Sequence, residues 1–563
     1  MLSLKTYPLS QPTLKLMVVS SLAILLSACQ APTESKASVV ADNALSKSPN
    51  IIVIMADDMG FSDVGAYGSE IATPNLDNLA QQGVKFSRFY TSISCSPSRS
   101  MLMTGADNHL VGIGNMAETI MDNQIGKPGY ETYINSGVST IGEDFQNLGY
   151  HTYMAGKWHL GLEKEQGPAE RGFDKSFSLL FGGGSHYSTG FGPDKHRPVS
   201  FYRDNGKLIR TLPDDFYSSN FYTDKIMEYI RSEEDSQQPF MAYLALTAPH
   251  WPLQFPPDYN AEYENTYKVG WNKIRQARLA KLRQSGLFSS PLLEDDTPDL
   301  MRDWDTLSAD EQKLASRDME IYAAMVSNMD RNVGRLIAFL QENDLYDNTL
   351  ILFLSDNGAD HWSNETAPPV IADFANQFDN SLENRGQPDS YVFYGEEWAR
   401  VSNTPFNKYK GTTNQGGMRV PAFMKLPDGQ GAGQINHQVL GIEMVKSTLL
   451  DVVKGSVTAK INPMLNPLVQ PQESAYLGRE MWGKQGIISG QWSLVKMQAP
   501  QGTGQWQLFD VVNDPAETTD LALQFPDVTT RLKGDWLQYV EQNGVVMPKG
   551  KFYIRPPGQL PVE

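Results

Sequence analysis

With only two cysteines in 563 residues, Cys29 and Cys95, a disulfide framework is excluded as the source of stability. Cations are also scarce. Lysine and arginine total 47 against 65 aspartates and glutamates, a formal net charge of −18. That balance excludes nucleic acid as a partner, because a phosphate-binding surface needs a basic excess. An anionic small substrate stays open, since a few local cations outweigh distant charge. Internal repeats are absent, and the apolar run at residues 16–26 is too short for a comfortable membrane span. What is present, 40% hydrophobic and 10% aromatic residues, suffices for a substantial globular core.

Lys5 and Lys15 precede the apolar run, which ends in Leu26-Ser-Ala-Cys29. This arrangement resembles a bacterial lipoprotein leader, residues 1–29, in which Cys29 is lipidated and becomes the first residue. Gln30 stands where an Asp would favour retention at the inner membrane. An exported, outer-membrane-anchored protein facing the periplasm or the cell surface is therefore expected. Residues 30–48, rich in Ala, Ser and small polar residues, read as a flexible tether. A catalytic domain is expected over 49–464 and a small α+β subdomain over 465–563.

Continuous apolar runs at 50–56, 239–246 and 349–355 read as strands covered on both faces, the mark of a parallel sheet. Shorter strands are expected at 84–90 and 150–155, with helices at 73–83, 139–149, about 318–342 and about 527–542. The alternation predicts an α/β fold, a large, mostly parallel sheet flanked by helices. After residue 465 the pattern changes to neighbouring antiparallel strands, 486–497 and 505–510, before the last helix.

Three of the buried strands end in chemical groups: Asp57-Asp58, His250 and Asp356-Asn357. Ligand crevices of open parallel sheets lie at the carboxyl ends of strands, so these groups are expected to meet. Three carboxylates and an amide oxygen crowded together call for a cation, and hard oxygen donors suit Ca²⁺ or Mg²⁺. Cys95-Ser-Pro-Ser-Arg99, closed by Thr104-Gly105, places a cysteine at a helix N-terminus, with Arg99 one turn later on the same face. Lys157 and His159, two residues apart, point the same way if the backbone there is extended, with Trp158 packed on the other side. Lys408-Tyr-Lys410-Gly, with paired glycines at 416 and 417 before Arg419-Val-Pro421, adds another basic loop.

These motifs, in this order from residue 50 to 421, resemble type I, formylglycine-dependent sulfatases of the alkaline phosphatase superfamily, most nearly the secreted bacterial arylsulfatases. The resemblance implies that a maturation enzyme oxidises Cys95 to formylglycine (3-oxoalanine), whose hydrate is the nucleophile on a sulfate monoester. It assigns Asp57, Asp58, Asp356, Asn357 and residue 95 to the metal. Asp356 is implied to take the first proton. His250 and Lys410 serve the leaving oxygen, His159 assists sulfate release, and Lys157, Lys410 and Arg99 offset charge. Lys157, His250, Lys410 and His186 are expected to contact substrate. One departure is Gln415, where the family usually carries Glu. Two alternatives stand beside this reading: a phosphonate or phosphate ester hydrolase on the same scaffold, and a non-catalytic lipoprotein that binds sulfated glycans.

Overall fold

Ile or Val fills four of the seven positions of the strand Asn50–Ala56, and every residue of it is buried. Such side chains fit a pleated surface packed on both sides, and they alternate faces. Ile51, Val53 and Met55 enter one core with Met101, Leu102, Ile141, Phe145, Val445 and Leu449. Ile52, Ile54 and Ala56 enter the other with Leu76, Leu79, Tyr222, Ile226 and the long helix Ala309–Glu342. The period of two thus divides the protein into two helical layers around one sheet. The computed structural model describes residues 48–234, 236, 238–259, 261–292, 301–455, 460–469, 475–550 and 552–556. Cys29, the leader and all but the last residue of the tether lie outside these residues.

Asn50–Ala56 runs parallel to Phe240–Ala245 on one side and to Thr349–Ser355 on the other. His151–Lys157 and Lys175–Leu179 continue the parallel array. Among the described residues the sheet has ten strands. The α/β class and parallel centre match the expectation, while one strand on each side of the centre is reversed. At one end Ala422–Lys425 runs against both Thr349–Ser355 and Val84–Phe86, and Ile435–Asn436 pairs parallel with Val84–Phe86. At the other, Tyr202–Asp204 runs against both Lys175–Leu179 and Lys207–Ile209.

Two boundaries differ from the sequence expectation. Residues 84–90 are two strands, because Phe89–Tyr90 leaves the large sheet to pair with Leu440–Gly441. Between the two strands the Ser87 carbonyl accepts the Arg419 guanidinium, a contact invisible in local sequence. The long helix begins at Ala309, opened by a capping box between Ser308 and Glu311. Its first turns are largely solvent-facing and polar, so apolar spacing did not reveal them. In the C-terminal part, Leu477–Met481 precedes the two expected strand regions. Together they form a four-stranded antiparallel sheet closed by the helix Pro526–Asn543.

Candidate active site

Each central strand delivers its chemical group to the same end of the sheet. Asp57 and Asp58 follow Ala56, Lys157 is the last residue of its strand, His250 follows Phe240–Ala245, and Asp356 follows Ser355. The backbone bends sharply here: Asp58 has φ +62°, and its N–H donates to Asp356 Oδ1 at 3.1 Å. A non-glycine residue held in that region is strained, and such strain gathers at functional sites.

Cys95 is the first residue of the wholly buried helix Cys95–Thr104, and Gly105 closes the helix with φ +71°. Cys95 Sγ lies 3.7 Å from Asp58 Oδ1. One turn on, the Arg99 guanidinium reaches Asp356 Oδ2 with Nε at 3.0 Å and Nη2 at 2.8 Å. Its Nη2 also lies 3.4 Å from Asp57, and its Nη1 donates to the Lys157 carbonyl at 3.1 Å. Arg99 therefore ties the helix to two strand ends. Lys157 Nζ contacts both Asp57 oxygens, at 2.8 and 2.7 Å. Lys410 Nζ bridges Asp58 at 2.7 Å and Asp360 at 3.1 Å. His250 binds the Trp251 carbonyl through Nδ1 at 2.6 Å, which leaves Nε2 facing Asp58 Oδ2 at 3.4 Å.

Burial governs the electrostatics. It pushes the Cys95 thiol up, and the opposing pull of Lys157 and Lys410 does not prevail. The side chain is a neutral thiol rather than a thiolate nucleophile. Asp58 is pushed up to about 8 by burial and by the neighbouring Asp360, Asp57 and Asp356 carboxylates, against the pull of Lys410. Asp57 is also opposed by burial, but Lys157 and Arg99 outweigh it and hold the carboxyl low. Burial and the charges of Lys410 and Lys157 keep His250 well below the usual imidazole range.

The donor set fits a metal ion. Ligand atoms of Asp57, Asp58, Cys95 and His250 lie within 4.8 Å of one another. Asn357 donates through Nδ2 to Asp58 at 2.7 Å, while its buried Oδ1 has no hydrogen-bond partner. An unsatisfied buried carbonyl oxygen beside a carboxylate raised by burial and by neighbouring carboxylates suits a hard cation.

Asp57, Asp58, Cys95, Arg99, Lys157, His250, Asp356, Asn357 and Lys410 are thus brought together. His159 reaches the adjoining cleft by a different route from the one expected. The strand ends at Lys157, and His159 has φ +57°, so strand alternation does not orient it. Its Nε2 instead binds Glu118 Oε1 at 3.0 Å. Trp158 packs inward against Phe173, as expected. His186 is corrected. Both its ring nitrogens are occupied, Nδ1 by Ser218 Oγ at 2.7 Å and Nε2 by the His250 carbonyl at 3.0 Å. It supports the His250 turn from behind and has no ring nitrogen left for substrate. Glu118 and the charge role of Asp360 were not read from the sequence, since neither sits in a periodic element or a fixed spacing. Asp360 also accepts the Trp251 indole N–H at 3.1 Å.

Outside this pocket lies a cleft of about 880 Å³ lined by Cys95, Glu118, His159, Arg197, His250, Trp251, Trp362, Lys410 and C-terminal residues. At Gln415, the amide Oε1 accepts the Tyr90 hydroxyl at 2.8 Å and the backbone N–H donates to Glu517 at 2.8 Å. The departure from Glu therefore touches loop anchoring and leaves the pocket groups in place.

Comparison with known proteins agrees with this geometry. The Sulfatase family model matches residues 49–456. An uncharacterised sulfatase of Schizosaccharomyces pombe is 36% identical over 540 residues, covering 90% of this chain and 96% of the relative. An arylsulfatase of Klebsiella aerogenes is 39% identical over 417 residues, covering 72% of this chain and 87% of the relative. The solved structure of Ps i-CgsB superposes with a TM-score of 0.60 at 24% identity, covering 91% of this chain and 95% of that one, a likeness of fold. Strand-end carboxylates, a buried cysteine helix and converging cations thus belong to a chain of the sulfatase family in the alkaline phosphatase superfamily, a sulfuric ester hydrolase.

Proposed function

We propose that the protein hydrolyses aryl sulfate monoesters, and that residue 95 acts after oxidation of its thiol to formylglycine by a separate maturation enzyme. The observation that carries this reading is the setting of Cys95. It is a buried neutral thiol surrounded by Asp58, Asp57, Asp356, Lys157 and Arg99, company suited to oxygen chemistry. Once matured, the hydrated aldehyde supplies a hydroxyl nucleophile, and a Ca²⁺ or Mg²⁺ ion would supply positive charge that makes this hydroxyl more acidic. Asp57, Asp58, Asp356 and Asn357 would hold that ion together with residue 95.

The chain's own residues do the remaining work. Arg99 keeps Asp356 and Asp57 aligned with the helix that carries residue 95. Lys157 and Lys410 present fixed cations to the sulfate oxygens in a largely buried pocket, where such charges act strongly. His250, which donates its Nδ1–H to the Trp251 carbonyl, turns Nε2 toward the site. The ring is neutral without substrate, and Nε2 takes up a proton as the anionic sulfate ester binds and then gives it to the leaving oxygen. His159, held through Nε2 by Glu118, offers Nδ1 as the acceptor for the proton lost when sulfate departs. Mature protein is expected to hydrolyse 4-nitrophenyl sulfate, with turnover lost on chelation and restored by Ca²⁺. Cys95→Ala is expected to abolish turnover, and mass spectrometry of the wild-type Cys95 peptide should show the thiol-to-aldehyde mass change. Full activity from protein carrying only the intact thiol would overturn the proposal.

A further inference from the structure

The cleft is larger than a scissile sulfate requires and falls within the range that encloses drug-sized ligands. Two aromatic pairs from distant parts of the chain line it: Trp251 with Trp362, and Trp482 with Phe552, each with ring centres 5.5 Å apart. The cations along it are mostly paired. Lys410 is bound to Asp58, Arg197 to Asp194, and Lys195 to Asp373. Lys484, the first residue of the strand Lys484–Ser489, differs.

Lys484 Nζ donates to the Gly411 carbonyl and lies 5.6 Å from the centre of the Trp482 ring, with no carboxylate partner among the described residues. An ammonium carries three protons, so two remain for a ligand. Burial alone pushes this lysine down, to about 8, a cost that a bound anion would offset. Gly411 adopts φ +78°, and a Cβ there would come 3.3 Å from Trp482 and 3.8 Å from Lys484 Nζ. The loop that carries Lys410 therefore lies directly against these two side chains.

We propose that Lys484 and Trp482 form a leaving-group subsite that selects aryl sulfates bearing a second anionic substituent, a carboxylate or another sulfate. The indole would stack on the aromatic ring while the ammonium takes the anion. This rests on the aryl sulfatase reading above and adds a preference to it.

The test compares 3- and 4-(sulfooxy)benzoate with their methyl esters, which match them in shape and lack the charge. Wild-type enzyme is expected to favour the acid over the ester by about tenfold or more in kcat/KM for at least one isomer, the size of a charge-assisted contact. Lys484→Met should bring that ratio toward one, and Lys484→Arg should retain part of it. Should Lys484→Met fail to fold, product inhibition of the wild type decides: 4-hydroxybenzoate must inhibit more strongly than its methyl ester. Wild-type ratios near one for both isomers, or a preference kept by Lys484→Met, would overturn the subsite. Failure of the wild type to hydrolyse any of the four esters and acids would overturn the aryl sulfatase reading instead.

Discussion

Glu118 and His159 show how a single contact decides a side chain's chemistry. With Nε2 committed to Glu118, His159 keeps a buried Nδ1 that has no hydrogen-bond partner. The ring is pinned by Gly182, where a Cβ would come 2.7 Å from His159 Cε1. Burial pulls His159 down, and the Glu118 carboxylate resists that pull. Glu118 is therefore a positioning residue: it fixes which nitrogen of His159 is left free and supports the charge that nitrogen acquires. Glu118→Gln keeps an acceptor but removes the charge, and should lower kcat by roughly 10–100-fold while KM moves little. Steady-state kinetics on 4-nitrophenyl sulfate check this; a KM effect with kcat intact would mean Glu118 only shapes the cleft. Cys95, Arg99 and the paired aspartates were legible because their spacing carries meaning by itself. Glu118 was not, since nothing within its loop distinguishes it from a solvated acid.

Between elements, the joint at His109 makes a pH prediction. Its ring is buried, with Nδ1 2.8 Å from Asp107 and Nε2 3.2 Å from Glu480 on the strand Leu477–Met481. Tyr539 of the last helix donates to the same Asp107 at 2.9 Å. Burial opposes the charged ring, but hydrogen bonds to the two carboxylates prevail and raise it to about 9 from 6.5. A folded value above the unfolded one stabilises fully below pH 6.5, and the contribution fades as pH rises through 9. The expected loss is on the order of 3 kcal/mol. Melting temperatures should fall between neutral pH and pH 9.5, and His109→Gln should flatten that slope; an unchanged slope in the variant would rule the joint out as its source. The strand Asn50–Ala56 and the helix Pro74–Gln82 were readable from period and end signals. The reversed strand Ala422–Lys425 and the split at Ser87 depend on partners far away in sequence, which local pattern does not encode.

At the scale of the whole molecule, none of the helices among the described residues is long and apolar enough to cross a membrane. The lipobox-like Leu26-Ser-Ala-Cys29 supports a proposal that a lipidated Cys29 anchors the exported protein at the outer membrane. Cys29→Ala is expected to move the protein out of the membrane fraction in cell fractionation; unchanged membrane association would reject the anchor. Sequence by itself determined the α/β class, the buried strands and the residue types of the pocket, because buried strands and motif spacing are properties of short stretches. Tertiary structure decided which nitrogen of His159 is free, that His186 supports His250 instead of meeting substrate, and that Lys484 reaches the cleft. Those outcomes depend on which distant groups share a low-dielectric space, where one hydrogen bond or one unpaired charge outweighs any local preference. The same holds for Cys95. Its motif carries the proposal that residue 95 is oxidised, and the fold buries its thiol among carboxylates and cations.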